Sequence, residues 1–165
     1  MSRSLPFYFA GYDQAMDAMW RRLSKLPFGK WLFTRILGFK IPYTGTMRST
    51  VLKLEPGDTE VLLPDRRLIR NHLNSIHAIA LANLGEFTGG LAVLGVMPPK
   101  TKFIITTLRI DYLKKARGDL IGKCKIPAIE DFRGEKKLNV VTEIFNSSNE
   151  VVARTTADWV LRRES

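Results

Sequence analysis

Asn71, His77 and Glu86 stand six and then nine positions apart in the stretch NHLNSIHAIALANLGEFTGG, residues 71–90. The run from Ser75 to Gly90 is otherwise mostly apolar, and a carboxylate placed there loses water, so Glu86 needs a partner, a changed pKa or a catalytic task. Acyl transfer is the chemistry these types suit. The carboxylate supplies a nucleophile or a base, and the first turn of a helix supplies free N–H groups to an oxygen that becomes negative. Each residue also has an ordinary structural use: a histidine caps or fills, a glutamate pairs with a cation, an asparagine shapes a turn.

Ser75 reads as the N-cap of a helix from Ile76 to about Leu94, apolar almost all round and stopped by GVMPPKT. On such a helix the nine steps from His77 to Glu86 make about two and a half turns and roughly 13 Å, so the two side chains point in opposite directions. Within one chain they cannot reach one small reacting group. Two copies side by side about a two-fold axis would bring the helix start of one to the helix middle of the other, giving two equivalent sites for cleaving a thioester.

Other elements must hold that helix. Met16, Trp20, Leu23 and Leu26 recur at helical spacing before Pro27, and FGKWLFTRILG reads as a second short helix ending at Gly38. These form an amphipathic cap on the main fold, or a peripheral membrane contact, since Trp20, Trp31, Phe33 and Phe39 lie among Arg21, Arg22, Lys25, Lys30 and Arg35. Thr50, Leu52 and Leu54 alternate as a strand, Glu55-Pro56-Gly57-Asp58 reads as a turn, and RRLIRNHLN as a loop.

From Lys102 the period becomes two, with inward sets Ile104, Leu108, Ile110 and Tyr112; Leu120, Cys124 and Ile126; Leu138, Val140 and Ile144; and Val151, Ala153, Ala157, Trp159 and Leu161. The class is α+β, a long helix wrapped by five or six antiparallel strands, with one sheet face available to a second subunit. We divide the chain into an N-terminal helical extension, 1–42, and one domain, 43–165.

Composition narrows the function. With 26 Lys and Arg against 16 Asp and Glu, the formal charge of +10 attracts anionic molecules or surfaces. The basic pairs are dispersed, and no nucleic-acid-binding signature is found. One cysteine, Cys124, excludes an intramolecular disulfide and a four-cysteine zinc site, and a reducing, cytoplasmic setting is expected. Neither a signal peptide nor a transmembrane segment is read from the sequence.

The order of elements, with Asn71, His77 and Glu86 at this spacing, resembles the hotdog-fold acyl-CoA thioesterases of the phenylacetyl-CoA and 4-hydroxybenzoyl-CoA type. That family has Asn or Gln, a Gly, His-Gly-Gly opening the helix, and an acid nine residues after the histidine. RIDYLKKARGDLIGKCKI resembles its strand ending in Tyr-Leu-Arg-Pro-Ala before a Gly-Asp turn, and EVVARTTADWVLR its closing strand. The likeness covers about residues 43 to 163; the N-terminal helices resemble an uncharacterised branch of thioesterase-like proteins.

The resemblance implies that Glu86 attacks the thioester carbonyl or activates water, and that Asn71 positions that water or the carbonyl. It implies too that the Ala78 N–H polarises the carbonyl oxygen and that His77 orients the loop or the thiol. Lys114, Lys115 and Arg117 would meet coenzyme A phosphates, with Ser75 and Thr107 also against the substrate. No cofactor beyond the coenzyme A thioester substrate is implied, and a homodimer or dimer of dimers is expected. His-Ala-Ile stands in place of His-Gly-Gly, Asn74 in place of Gly, and Ile105 with Thr106 and Thr107 where some relatives carry serine. Three rivals remain: a non-catalytic acyl-CoA-binding or regulatory protein on the same fold, a hydratase or dehydratase, and a membrane-surface protein working through its N-terminal residues.

Overall fold

A helix that is apolar on nearly every side forms only where other structure covers it, and here a sheet supplies most of that cover. The computed structural model describes residues 12–163. In chain order it contains α1 (Tyr12–Leu23), α2 (Gly29–Lys40), α3 (Pro42–Thr46), β1 (Thr50–Glu55), β2 (Asp58–Leu63), a 3-10 turn (Arg67–Ile69), α4 (Ala78–Val96), β3 (Thr101–Tyr112), β4 (Leu120–Lys125), β5 (Gly134–Phe145) and β6 (Val151–Arg163). The architecture is the expected α+β. Residues 1–11 of the anticipated extension lie outside the described residues.

The six strands form one antiparallel sheet in the order β1-β2-β4-β5-β6-β3. The β1–β2 hairpin turns at Pro56-Gly57 as the sequence suggests, with Gly57 at φ 71°. Helix α4 has the length and composition of a membrane span, but most of it lies inside the sheet. Its Leu81, Leu84, Leu91 and Val93 pack with Val61, Leu63, Leu120, Val140, Ile144 and Leu161 in one core. Each such side chain contributes about 1.5–3 kcal/mol through burial.

Helix and sheet meet at glycines. A Cβ on Gly85 would stand 2.3 Å from the Thr155 side chain, and one on Gly122 would stand 2.6 Å from the Thr88 hydroxyl. At the β1 edge, α2 closes the sheet with side chains that occupy exposed backbone groups. The Val51 N–H donates to Thr34 Oγ1 (2.9 Å), Lys30 Nζ donates to the Leu52 carbonyl (2.7 Å) and Arg35 Nη2 to the Ser49 carbonyl (2.6 Å). Phe33 and Leu37 enter the core from α2, and Trp20 of α1 meets Phe33 edge-on at 5.0 Å.

The structure corrects several sequence expectations. His77, not Ser75, caps α4, which starts two residues after the expected Ile76. The expected loop at 66–74 contains the 3-10 turn. Helix α2 continues past Gly38 to Lys40, since Gly38 is accommodated within the last turn. Ile104 does not share a face with Leu108, Ile110 and Tyr112. A bulge between Ile105 and Thr107 shifts the register, so Phe103 and Ile105 face inward opposite Leu161 and Trp159, while Ile104 points outward. A similar irregularity between Val51 and Lys53 buries Val51 in place of Leu52, while Leu54 is buried as expected.

The close approach at Gly85 yields a stability prediction. Gly85→Ala should lower stability by about 1–3 kcal/mol through overpacking despite its better helix propensity. The denaturant midpoint measures this, and adding Thr155→Ala should recover part of the loss.

Candidate active site

One stripe of α4 escapes full cover. Ala82, Glu86 and Gly90 are half-buried and Ile79 is 54% exposed, at helical spacings of three and four. Beside this stripe runs β3, an edge strand whose one partner is β6. Its inward residues past the bulge, Leu108 and Tyr112, are 37% and 52% exposed. Cover of the helix is therefore incomplete on the side where β3 ends the sheet.

Glu86 lines a cavity of about 440 Å³ walled by Phe87, Leu91 and Leu94 of α4, Phe103 and Ile105 of β3, and Trp159 of β6. Leu37 and Ile41 close it from the N-terminal side together with Thr44, whose hydroxyl accepts a hydrogen bond from Asn83 Nδ2 at 3.1 Å. Burial holds the Glu86 carboxyl above the usual carboxylate range. Among the described residues no cation pairs with it, so the ion-pair explanation of its position does not apply. The walls are apolar and Gly90 leaves room beside Trp159, so the cavity fits an uncharged apolar group of a ligand.

The other sequence-predicted residues gather elsewhere. Asn71 Oδ1 accepts the N–H groups of Leu73 and Ser75 at 3.0 and 3.1 Å, an Asx arrangement that shapes the turn into α4. Asn74, where glycine was expected by resemblance, sits at φ 55°, a conformation asparagine tolerates. His77 Nδ1 accepts the Ile79 N–H at 3.1 Å, and the His77 carbonyl accepts the Leu81 N–H at 3.2 Å. The imidazole is thus a cap on an exposed residue. Ala78 is the first helical residue, and its N–H belongs to the first-turn donors that the helix does not use internally. The Tyr112 hydroxyl donates to the Ala78 carbonyl at 3.3 Å.

Ser75 is buried with its hydroxyl unpaired. Arg117 reaches the Leu73 carbonyl at 3.5 Å, and Lys114 is held by Glu150 at 2.6 Å. Lys115 is exposed in the segment that follows β3. Thr107 pairs with Asp158 on the outward face, away from the cavity. Asn71, Ser75, His77, Ala78 and Arg117 therefore form one group at the helix start, and Glu86 stands about 12 Å further along the axis.

Sequence reasoning missed the contribution of α2 and α3 to the cavity wall. The signal was there: Phe33, Leu37 and Ile41 follow at steps of four, an apolar line that runs past Gly38.

Comparisons with known proteins complete the picture. A family model described as a domain of unknown function, DUF4442, matches residues 29–161. The chain belongs to this family. Among solved structures, this DUF4442 protein is similar to one from Pseudomonas aeruginosa described as a protein of unknown function and "probable thioesterase". The two share 24% identity at a TM-score of 0.74, over 84% of this chain and 97% of that one. It is also similar to a "putative thioesterase" from Shewanella oneidensis, with 17% identity and a TM-score of 0.68, over 88% and 98% of the two chains. These likenesses establish the hotdog fold. A Halobacterium salinarum protein named "putative esterase" is 30% identical over 91 residues, 52% of the DUF4442 chain and 60% of the relative's own length.

The raised Glu86 pKa fixes a pH dependence. As pH rises through the ordinary carboxylate range the unfolded chain ionises while the folded one keeps its proton, so the native state loses stability there. Glu86→Gln removes this loss. The excess in Tm of Glu86→Gln over the native chain should grow as pH rises above the ordinary carboxylate range.

Proposed function

We propose that this DUF4442 protein hydrolyses an acyl thioester, with acyl-CoA as the substrate class, at sites shared between two copies of the chain. The carrying observation is a half-buried carboxylate, without a cationic partner among the described residues, on the wall of an apolar cavity and far along the helix from the free amide at its start. The names of the similar proteins agree with hydrolysis of this kind. An edge strand with uncovered apolar residues beside an uncovered helix stripe supports pairing through β3. Pairing about a two-fold axis would set Glu86 of one copy against the helix start of the other.

In this reading Glu86 takes a proton from water, and the resulting hydroxide adds to the thioester carbonyl carbon. The Ala78 N–H of the second copy donates to the oxygen that becomes negative. Collapse of the tetrahedral intermediate breaks the C–S bond, and the thiol leaves with the proton returned by Glu86. Asn71 and His77 hold the helix start in shape.

The test is thiol release from a panel of short, aromatic and long acyl-CoAs. Glu86→Gln should lower kcat at least ~100-fold while circular dichroism stays unchanged. Absence of release from every acyl-CoA by the native chain would reject hydrolysis.

Sharing of the site has its own test. Ala78→Pro deletes one N–H at the first helical position, where proline is tolerated, and His77 already has the ψ of 142° that a following proline requires. Equal amounts of inactive Glu86→Gln and Ala78→Pro chains, mixed and allowed to exchange, should recover about a quarter of native activity. Half of the dimers are then mixed, each with one intact site. No recovery on exchange would place both groups in one chain's site.

A second reading has its own support: the Asn71 oxygen and the His77 nitrogen are already occupied within the turn and the cap. A binding protein without turnover needs neither. A stoichiometric, uncleaved acyl-CoA recovered after incubation would favour it.

A further inference from the structure

Beside the Glu86 cavity, and sharing Ile41, Thr44 and Phe87 with it, lies a second cavity of about 440 Å³. Its walls are also largely apolar, with Phe39, Ile41, Pro42 and Phe87, but it adds positive charge. Arg35 and Arg48 line it, and Arg66 stands behind, near enough to both for mutual repulsion. Among the described residues no carboxylate pairs with any of the three.

Arg35 and Arg66 each direct one Nη2 to backbone carbonyls, Arg35 to Ser49 and Arg66 to Thr46 and Met47. Their Nε atoms are buried and have no hydrogen-bond partner. Like charges kept together and partly dehydrated are costly, and burial with this repulsion lowers the pKa of both Arg35 and Arg66. A bound anion would offset both costs.

Two backbone features keep the cavity as it is. Gly38 and Gly45 line it where α2 and α3 approach so closely that a Cβ on Gly45 would stand 2.6 Å from the Gly38 carbonyl oxygen. Arg48 holds φ 51°, a left-handed conformation in which glycine or asparagine is the usual residue.

We propose that Arg35, Arg48 and Arg66 form an anion site for the phosphate-bearing end of a ligand. Phosphate and diphosphate groups offer more charge and more acceptor oxygens than a carboxylate, and planar guanidinium donors match them in pairs. The site differs from the strand-end group expected from sequence, where Lys114 is already held by Glu150. It also goes beyond the hydrolytic reading, because a phosphate binds here whether or not a thioester is cleaved. Two sources carry this chemistry, a soluble phosphate ester such as coenzyme A and an anionic phospholipid headgroup.

The experiment uses the full chain and Arg48→Gly, which removes the guanidinium and relieves the left-handed backbone together. Calorimetric titration with pyrophosphate and coenzyme A, and co-sedimentation with phosphatidylglycerol against phosphatidylcholine vesicles, read binding. Arg48→Gly should match or exceed the native Tm and bind at least tenfold more weakly. Loss confined to the soluble phosphates supports the first source, and loss confined to phosphatidylglycerol supports the second. Arg48→Glu, read in the same way, serves as the second variant should Arg48→Gly lose Tm. Failure of the native chain to bind any of these probes, or binding unchanged in the folded variants, overturns the site. Thiol release is not a readout here, so a chain that binds pyrophosphate through Arg48 but cleaves no acyl-CoA retains this site while losing the hydrolytic role.

Discussion

Incomplete enclosure of α4 is the constraint on which the rest of the molecule depends. The sheet wraps an apolar helix closely enough that glycines are needed at the contact, then ends at β3 with part of the helix uncovered. Glu86 lies on that uncovered stripe. Were the helix sealed on every side, its carboxyl would be a buried charge without compensation; were it fully in water, its pKa would be ordinary and its reactivity low. Half-burial gives a carboxylate short of water yet reachable, a condition that general-base chemistry uses.

The N-terminal helices also do more than cover the sheet. Through Thr34, Lys30 and Arg35 they occupy backbone groups of the β1 edge, and β3 is the opposite edge of the sheet. Through Leu37, Ile41 and Thr44 they complete the cavity at Glu86. The family match begins at residue 29, so it takes in α2 and α3 and leaves α1 outside.

The sequence made the helix, the later strands and the class legible because burial imposes a strict period on each. Alternation failed at Ile104 and Leu52, where bulges shift the face by one residue without any mark in residue type. The cap was misplaced because serine is a common N-cap while a histidine nitrogen in that role is not. Glu86 stood out as a lone carboxylate in an apolar run. The second cavity was not legible, because Arg35, Arg48 and Arg66 are widely separated in sequence and only the packing of α2 and α3 beside the 3-10 turn assembles them.

The departures from the family pattern at the helix start also take on a physical meaning. Asn71, Asn74 and His77 spend their polar atoms or their conformational tolerance on building the turn, so side chains there act as scaffold. In the proposed reading the chemistry falls to a main-chain N–H, and an amide donor is the same whether Ala78 or glycine carries it. Replacing glycines by Ala78 and Ile79 alters how much room surrounds that donor and how apolar its rim is, since Ile79 is largely exposed. The consequence falls on the shape of the molecule that can approach, whereas the capacity to stabilise negative charge stays with the backbone.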